Sequence, residues 1–304
     1  MRTLLAIALA AAVAAAAPKT RRERVAIPVW TDGEALEPAA VQARLAGKEV
    51  RVEAVRGPGD DLLLLLILDL SGDVGLAETA REALAKETED LPPSAWVGLM
   101  RAQDGLRVLL DPTADRAELA RAIRETPPGS YAGLLDSVQT VMELADDILR
   151  KSAVRVAVLY VTDSDVRRYR EDFTNPVINA SDPRDLSRRF PEGLVQEKIR
   201  KVDATLALLE VPLFVVHLDY RSDRLNEAYQ AGLKQLAATT GGAGEFCRSP
   251  AEIPEAIRRS LQRIASHHSV VVAMPPRAPR VIPVELRAAG RTLVHRMQVA
   301  SEGR

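Results

Sequence analysis

Three polar side chains at alternate positions, Asp69, Ser71 and Asp73, directly follow an aliphatic run. Side chains at alternate positions of a turn can converge on one point. Two carboxylates and a hydroxyl are hard oxygen ligands of the type that Mg²⁺ and Ca²⁺ prefer. A further carboxylate, Asp163, follows a second apolar run. We therefore predict a site for Mg²⁺ or another divalent cation with Asp69, Ser71, Asp73 and Asp163 as ligands.

The elements that must position these residues are central strands of a sheet. Three apolar runs without alternation, Leu62 to Leu68, Val154 to Val161 and Pro212 to Leu218, are typical of parallel strands buried on both faces. The predicted helices are 76–89, 115–125, 134–151, 194–210, 223–239 and 254–266, and a strand pair is predicted at 96–101 and 106–110. This alternation predicts a doubly wound, mostly parallel α/β fold, in which ligands bind outside the carboxyl ends of the strands.

Shorter strands with two-residue alternation are predicted at both ends of the chain. They are Val25 to Trp30, Glu49 to Val55, Val270 to Ala273, Val281 to Leu286 and Leu293 to Met297. Since chain ends commonly lie close together, we predict that these strands pair into one small β-subdomain beside the α/β core. The predicted boundaries are 17–59 for the N-terminal β segment, 60–268 for the α/β domain and 269–304 for the C-terminal β segment.

The first 16 residues have the pattern of a secretory signal peptide. Arg2 precedes the apolar stretch Leu4 to Ala16, which ends in three alanines. This stretch is shorter than the roughly 20 residues that span a bilayer. We predict cleavage, export to the periplasm or the cell exterior, and no transmembrane span in the mature chain.

Composition excludes two classes of protein. A formal net charge of −1 with interspersed charges argues against nucleic-acid binding. The single cysteine, Cys247, excludes an intramolecular disulfide framework, and a small residue near a strand is its simplest interpretation. His217 lies within a predicted buried strand and is expected to be a core histidine. His267 and His268 follow a helix and are expected to be exposed, because neighbouring positions point to different faces.

The motif around Asp69 resembles the metal-ion-dependent adhesion site of von Willebrand factor type A (vWA) domains. The resemblance rests on the aliphatic strand followed by Asp-x-Ser-x-Asp and on Asp163 in a Val-Thr-Asp sequence after a later strand. Leu236 to Gly242, with a short β-rich tail after it, is similar to the exported bacterial VWFA-related group often seen in Acidobacteria. The resemblance implies a non-catalytic adhesion module that captures an acidic residue of a partner protein through a bound cation.

Two positions depart from the pattern of that family. Asp73 stands where the family motif has a second serine, and Ala132 occupies the position of a threonine ligand. A third carboxylate attracts a cation more strongly. It can also occupy the coordination position that an acidic residue of a partner would take, which would weaken adhesion. The alternative is an acidic loop without metal, whose carboxylates accept backbone N–H groups at a helix start.

Two other functions stay open at this point. The chain can be a metal-independent scaffold component of a cell-envelope assembly, or, less favoured, a hydrolase that depends on Asp69. The polar segment 164–190 is predicted to be a surface loop. Its charged run Arg167 to Asp172 is either a solvated loop or a specificity rim over the Asp69 loop.

Overall fold

The computed structural model describes residues 23–31, 35–174, 191–275 and 279–300. The predicted signal peptide and residues 175–190 of the predicted loop lie outside these ranges. Within them, no helix is both long and apolar enough to cross a bilayer.

The bounds of the described strands and helices are as follows. The strands are β1 (Arg24–Trp30), β2 (Val41–Leu45), β3 (Lys48–Val50), β4 (Val52–Arg56), β5 (Leu62–Asp69), β6 (Ala95–Arg101), β7 (Arg107–Thr113), β8 (Arg155–Thr162), β9 (Leu213–His217), β10 (Ala243–Phe246), β11 (His268–Ala273), β12 (Val281–Ala288), β13 (Arg291–Thr292), β14 (Val294–His295) and β15 (Gln298–Ala300). The α-helices are α1 (Val74–Glu87), α2 (Arg116–Glu125), α3 (Leu134–Lys151), α4 (Pro191–Leu206), α5 (Arg224–Thr240) and α6 (Ile253–Ser266).

The largest sheet has six strands in the order β10-β9-β8-β5-β6-β7. All neighbouring strands in it are parallel except β6 and β7, which form an antiparallel pair at one edge. Helices pack against both faces, so the predicted doubly wound, mostly parallel α/β fold is confirmed.

The aliphatic run of β5 is central because it faces two cores at once. Leu63, Leu65 and Ile67 pack into one core with residues of α3, α4 and α5. The alternate leucines of β5 pack into the second core with residues of α1, α2 and α6. Burial on both faces explains why this strand has no polar alternation.

The strands near the two chain ends pair with one another. The C-terminal strand β11 lies antiparallel between β1 and β4, and β12 lies antiparallel to β2. Side chains from these strands form a third core that includes Val25, Ile27, Val270 and Val284. The domain boundaries themselves stay a prediction.

Two predicted strands differ in the structure, one by division and one by shortening. The predicted strand Glu49 to Val55 becomes β3 and β4, because β3 pairs with β2 whereas β4 pairs with β11 in a different sheet. Leu293 to Met297 contributes only β14, which pairs with β1, and the next strand β15 pairs with β12. The strands β2 and β10 were not predicted.

The prediction that His267 and His268 are exposed is wrong. Both side chains are buried. His268 is the first residue of β11 and pairs with Val29 inside a sheet. The Nδ1 atom of His267 donates to the carbonyl of Ile264 at 2.7 Å, and its ring lies against Trp30. Burial lowers the pKa of His267 to about 4. Both residues are buried because the chain passes from α6 directly into β11, a strand inside a sheet.

The predicted surface loop is also partly wrong over its described residues. A short 3-10 helix, Val166–Arg168, follows β8, and Val166, Tyr169 and Phe173 are buried in the core beside α3 and α5. Three apolar side chains separated by charged residues anchor the segment, and their spacing of three and then four residues is a short helical pattern.

Candidate functional site

The predicted site residues Asp69 and Asp163 are brought together by strand register. Asp69 is the last residue of β5 and pairs with Thr162, the last residue of β8, so Asp163 follows directly beside it. Both aspartates are buried. The carboxyl ends of two central strands thus place two carboxylates next to each other.

The carboxylate of Asp69 joins three segments of the chain. It accepts hydrogen bonds from the backbone N–H of Gly133 at 2.8 Å, from the N–H of Leu134 at 3.2 Å and from Thr162 Oγ1 at 3.0 Å. Burial nevertheless raises its pKa to about 7, because desolvation outweighs these hydrogen bonds. A Cβ atom on Gly133 would lie 2.0 Å from the carbonyl oxygen of Ala102, so only glycine allows this close approach.

The carboxylate of Asp163 holds the loop that follows β5. It accepts from the backbone N–H of Ser71 at 2.7 Å, of Gly72 at 2.8 Å and of Asp73 at 3.0 Å. A Cβ atom on Gly72 would approach its Oδ2 to 2.8 Å. Burial raises the pKa of Asp163, and these three hydrogen bonds oppose that shift.

Asp73 caps a helix. Its Oδ1 accepts from the N–H of Gly75 at 2.7 Å and of Leu76 at 3.1 Å at the start of α1. Aspartate is a favoured N-cap residue because its oxygen satisfies N–H groups that have no partner inside the helix.

Ser71 and Ala132 complete the predicted ligand positions. Ser71 Oγ is buried and has no hydrogen-bond partner among the described residues. It is therefore one oxygen atom that is available as a metal ligand. Ala132 is buried and carries no side-chain oxygen. Mg²⁺ requires about six oxygen ligands in near-octahedral geometry.

Most oxygens of this donor set are already engaged within the protein. The carboxylates of Asp69 and Asp163 already accept three hydrogen bonds each, and Asp73 caps α1. Within the described ranges no three His, Cys, Asp or Glu side chains are grouped to hold a metal ion. Metal binding stays a prediction, and the way these oxygens are engaged argues against it.

An arginine lies beside the two carboxylates. Arg168 Nη1 donates to the carbonyl of Ser71, and its positive charge partly opposes the rise that burial causes in the pKa of Asp163. The carbonyl of Arg168 accepts from the N–H of Ala132 at 3.0 Å. Sequence analysis placed Arg168 in a charged run that could form a rim, but it did not identify this residue as part of the site.

A network of buried hydroxyl groups connects the site to the hydrophobic core. Thr162 Oγ1 contacts Ser164 Oγ at 2.7 Å, Ser164 Oγ contacts Tyr229 Oη at 2.6 Å, and Tyr229 Oη contacts Tyr169 Oη at 2.8 Å. The Tyr169 hydroxyl accepts from the N–H of Leu135 at 3.2 Å. Sequence analysis missed this network, since its members come from three distant segments.

No protein-family model and no curated protein sequence matches the chain. Solved structures do. The von Willebrand factor type A structure from Catenulispora acidiphila is 10% identical, with 92% of this chain and 73% of that chain covered and a TM-score of 0.47. The vWF domain of the type V pili tip protein Mfa5 from Porphyromonas gingivalis is 15% identical, with 67% and 95% covered and a TM-score of 0.45.

A third match is proximal thread matrix protein 1 from the mussel byssus with a zinc-occupied MIDAS motif. It is 8% identical, with 73% of this chain and 49% of that chain covered and a TM-score of 0.45. The chain resembles vWA domains. Its fold class rests on its own strand order and on the helices that cover both faces of the sheet. Membership of the bacterial VWFA-related group stays a prediction.

The surface above the vWA-like site carries exposed side chains that are not needed for its internal bonding. Val74, at the start of α1, is 56% exposed, and Tyr131, in the loop before α3, is 45% exposed. The guanidinium of Arg170 lies 5.2 Å from the centre of the Tyr131 ring. An aromatic side chain and an arginine therefore occur together on this surface.

Two single residues of the sequence analysis lie away from this surface. His217 is buried at the end of β9 and its Nε2 contacts the carbonyl of Ser164 at 3.0 Å. Burial lowers its pKa to about 4. Cys247 is buried directly after β10, and burial raises the pKa of its thiol to about 11. A thiol in this state is a poor nucleophile.

Proposed function

We propose that this chain is an exported, non-catalytic protein-interaction module of the vWA type, and that its binding face lies at the carboxyl ends of β5 and β8. We define the binding face as Val74, Tyr131 and Arg170 with the loops beneath them. Export rests on the signal-peptide pattern at residues 1–16.

One observation carries the proposal: three loops are joined into one surface by bonds beneath it. Asp163 holds the loop after β5, and Asp69 holds the loop before α3. Gly129 N–H donates to the carbonyl of Leu70 at 2.8 Å. A surface that is already ordered loses less conformational entropy when it binds a partner.

The side chains on this surface suit a protein partner. Aromatic residues and arginine are enriched in the energetically dominant parts of protein interfaces. Tyr131 is exposed although it is large and partly apolar, and Arg170 covers one part of its ring. Tyr131 and Arg170 together offer both apolar area and hydrogen-bond donors.

The position of Asp69 supports a non-catalytic role over hydrolysis. Its carboxylate is fully buried and accepts three hydrogen bonds from the protein itself. A nucleophile must approach the reacting atom of its substrate closely. Asp69 acts as an acceptor that joins loops, and this accounts for its place at the strand end.

We propose further that binding does not require a divalent cation. The three carboxylates that the family resemblance assigns to a metal are engaged in holding the face together. This makes the site a degenerate form of the metal-ion-dependent adhesion site, with its carboxylates kept for structure.

The experiment is partner capture from envelope extract with the immobilised protein and its variants. Tyr131→Ala should abolish recovery of the specifically bound protein. Trp96→Ala is the matched control, because Trp96 is an aromatic residue of similar exposure, 48%, on β6 near the opposite end of the sheet. Chelator should leave recovery unchanged. Equal recovery by the two variants would contradict the proposed face, and loss with chelator would contradict metal independence.

A second candidate function, an envelope scaffold component, is favoured by a different surface. Val281, Val294 and Met297 are 52%, 62% and 68% exposed. They border a cavity of about 490 Å³ that Trp30 also lines. Exposed apolar patches of this kind mark assembly surfaces. If Met297→Ser abolishes capture and Tyr131→Ala does not, the scaffold function replaces the first proposal.

A further inference from the structure

A cavity lies between the paired strands near the two chain ends and the last turns of α5 and α6. Trp30, Val281 and Val294 line it from the strands. Thr239 and Arg263 line it from the helices. Its volume is about 490 Å³, which is within the range of sites for small organic molecules. None of the three side chains that define the binding face lines it, so the cavity is separate from that face.

The wall of the cavity is mainly apolar. Aliphatic side chains from β12, β14 and β15, together with Met297 between β14 and β15, form much of it. Val294 and Met297 are more than half exposed, so the apolar surface continues to the rim and faces water. An apolar ligand that covers this surface is stabilised in proportion to the area that it removes from water.

Arg296 joins the strand side of the cavity to the α/β core. Its Nη2 donates to the carbonyl of Ala207 at 2.7 Å, and its Nη1 donates to the carbonyl of Leu209. Both carbonyls follow the end of α4. The side chain of Arg296 is buried and is engaged by these bonds, so it fixes the wall and does not serve a ligand.

Arg263 is a second positive charge in the wall, and Trp30 orients it. The indole N–H of Trp30 donates to the carbonyl of Arg263 at 2.9 Å, and the guanidinium lies 4.9 Å from the centre of the Trp30 ring. The ion pairs of α6 in the described structure are formed by Arg258 and Arg259 and not by Arg263. No Asp or Glu is among the described residues that line the cavity. An exposed guanidinium without a counter-charge thus lies beside an apolar wall.

A long-chain carboxylate has both properties that this wall calls for. Its hydrocarbon chain matches the aliphatic side chains, and a guanidinium binds its head group through two parallel N–H donors. A second copy of the chain fits less well. In a symmetric contact the same surface meets itself, and the described wall offers no acidic group to Arg263 of the other copy. The charge of the cavity therefore favours an anion with an apolar body over self-association.

We infer that this cavity binds a free long-chain fatty acid, with its hydrocarbon chain against Val294 and Met297 and its carboxylate at Arg263. The inference goes beyond the proposed function and does not depend on it, because the cavity and the binding face share none of their defining side chains. A bound fatty acid covers the apolar rim that a scaffold contact would otherwise use.

The test is an NMR titration of the full chain with octanoate, decanoate and dodecanoate, each kept below its micelle concentration. The chain has two tryptophans, so their indole N–H signals provide an internal comparison. The signal of Trp30, which lines the cavity, should shift, and the signal of Trp96, on β6, should not. Each added methylene should tighten binding by up to about fourfold, the effect of burying one CH₂ group.

Val294→Ser should weaken decanoate binding by about tenfold, because it removes apolar area from the wall. Val108→Ser is the matched control, since Val108 is an exposed valine on β7, outside the cavity. Arg263→Gln should weaken binding of decanoate by about fivefold and leave binding of 1-decanol unchanged, since only the acid is charged. Arg121→Gln, at an exposed arginine of α2, should change neither.

Four results would overturn the inference: no shift of the Trp30 signal, equal shifts of both indole signals, an affinity that does not rise with chain length, or equal weakening by Val294→Ser and Val108→Ser. If 1-decanol binds as tightly as decanoate, the ligand is a neutral apolar molecule and the fatty acid is wrong. If no fatty acid binds and Met297→Ser abolishes partner capture, the cavity takes a protein instead. Tyr131→Ala should bind decanoate like the unaltered chain, so failure of this inference leaves the proposed function standing.

Discussion

The two ends of the central strands both bury charged side chains, but the charges are opposite in sign. At the carboxyl end, Asp69 and Asp163 each accept three hydrogen bonds. At the amino end, Arg155, the first residue of β8, is fully buried. Its guanidinium donates to the carbonyls of Pro58, Asp60, Ala265 and His267 at 2.9–3.2 Å.

This difference follows from the direction of the helices. In a doubly wound sheet the helices run opposite to the strands, so the carboxyl ends of the strands meet helix N-termini with unpaired N–H groups. Leu134 N–H, at the start of α3, donates to Asp69 for this reason. At the amino end, α6 ends and leaves carbonyls that need a donor, which Arg155 supplies.

The buried charges at the two ends support different parts of the molecule. Arg155 is covered on all sides and faces only the protein's own carbonyls. The aspartates are covered too, but the loops that they hold form the binding face. The buried charge at the amino end stabilises the fold, whereas the buried charges at the carboxyl end hold the loops of a surface in place.

The largest effect is expected at the amino end. Arg155→Met should lower the free energy of unfolding by about 4 kcal/mol, because it leaves several buried carbonyls without a donor. Urea denaturation followed by circular dichroism measures this. Arg124→Met is the control: Arg124 forms a surface pair with Glu82, so its loss should cost less than about 0.5 kcal/mol. Equal losses would show that Arg155 does not hold the amino end.

A somewhat smaller effect is expected at the carboxyl end. Asp163→Asn should lower the free energy of unfolding by about 3 kcal/mol, because an amide has one acceptor oxygen where the carboxylate has two. The same denaturation experiment measures it. Asp147→Asn, which removes an exposed pair with Lys151, should change stability by less than about 0.5 kcal/mol. A loss no greater than that of the control would argue against Asp163 as the residue that orders the face.

Each end of the strands also holds a buried histidine whose protonation should weaken folding in acid, whereas the raised pKa of Asp69 acts in the opposite direction. Burial lowers the pKa of His217, at the carboxyl end, and of His267, at the amino end, to about 4. Their unfolded pKa is about 6.5, so between pH 6.5 and 4 only the unfolded chain takes up these protons and stability falls. Each histidine should cost about 2 kcal/mol by pH 5.

His217→Gln and His267→Gln should each make the dependence of unfolding free energy on pH less steep over this interval. Urea denaturation of each variant at several pH values, compared with its own value above pH 7, gives that slope. If neither substitution changes the slope, these histidines do not govern the acid sensitivity.

The smallest expected effect concerns metal. Mg²⁺, Ca²⁺ or Mn²⁺ at about 5 mM should leave the thermal unfolding midpoint unchanged, because a ligand raises the midpoint only if it binds the folded state. Differential scanning fluorimetry with and without chelator measures this. A rise that Asp69→Ala abolishes would restore the predicted cation site of Asp69, Ser71, Asp73 and Asp163 and would make the carboxyl end a metal centre.

The sequence by itself determined the fold class and the location of the site. The aliphatic run of β5 has no alternation because both of its faces are buried, and the carboxylates at the strand ends lie together because parallel strands share one edge. Hydrophobic pattern and strand direction are local properties, and they can be taken from the order of residues.

Only the tertiary structure decided what the carboxylates do. Whether Asp69 and Asp163 bind a cation or accept backbone N–H groups depends on which loops approach them, and Gly133 and Gly72 come from separate segments. The burial of His267 and the roles of Arg155 and Arg168 likewise depend on contacts between residues far apart in the chain. Such contacts leave no periodic pattern in the sequence, because packing in three dimensions selects each partner.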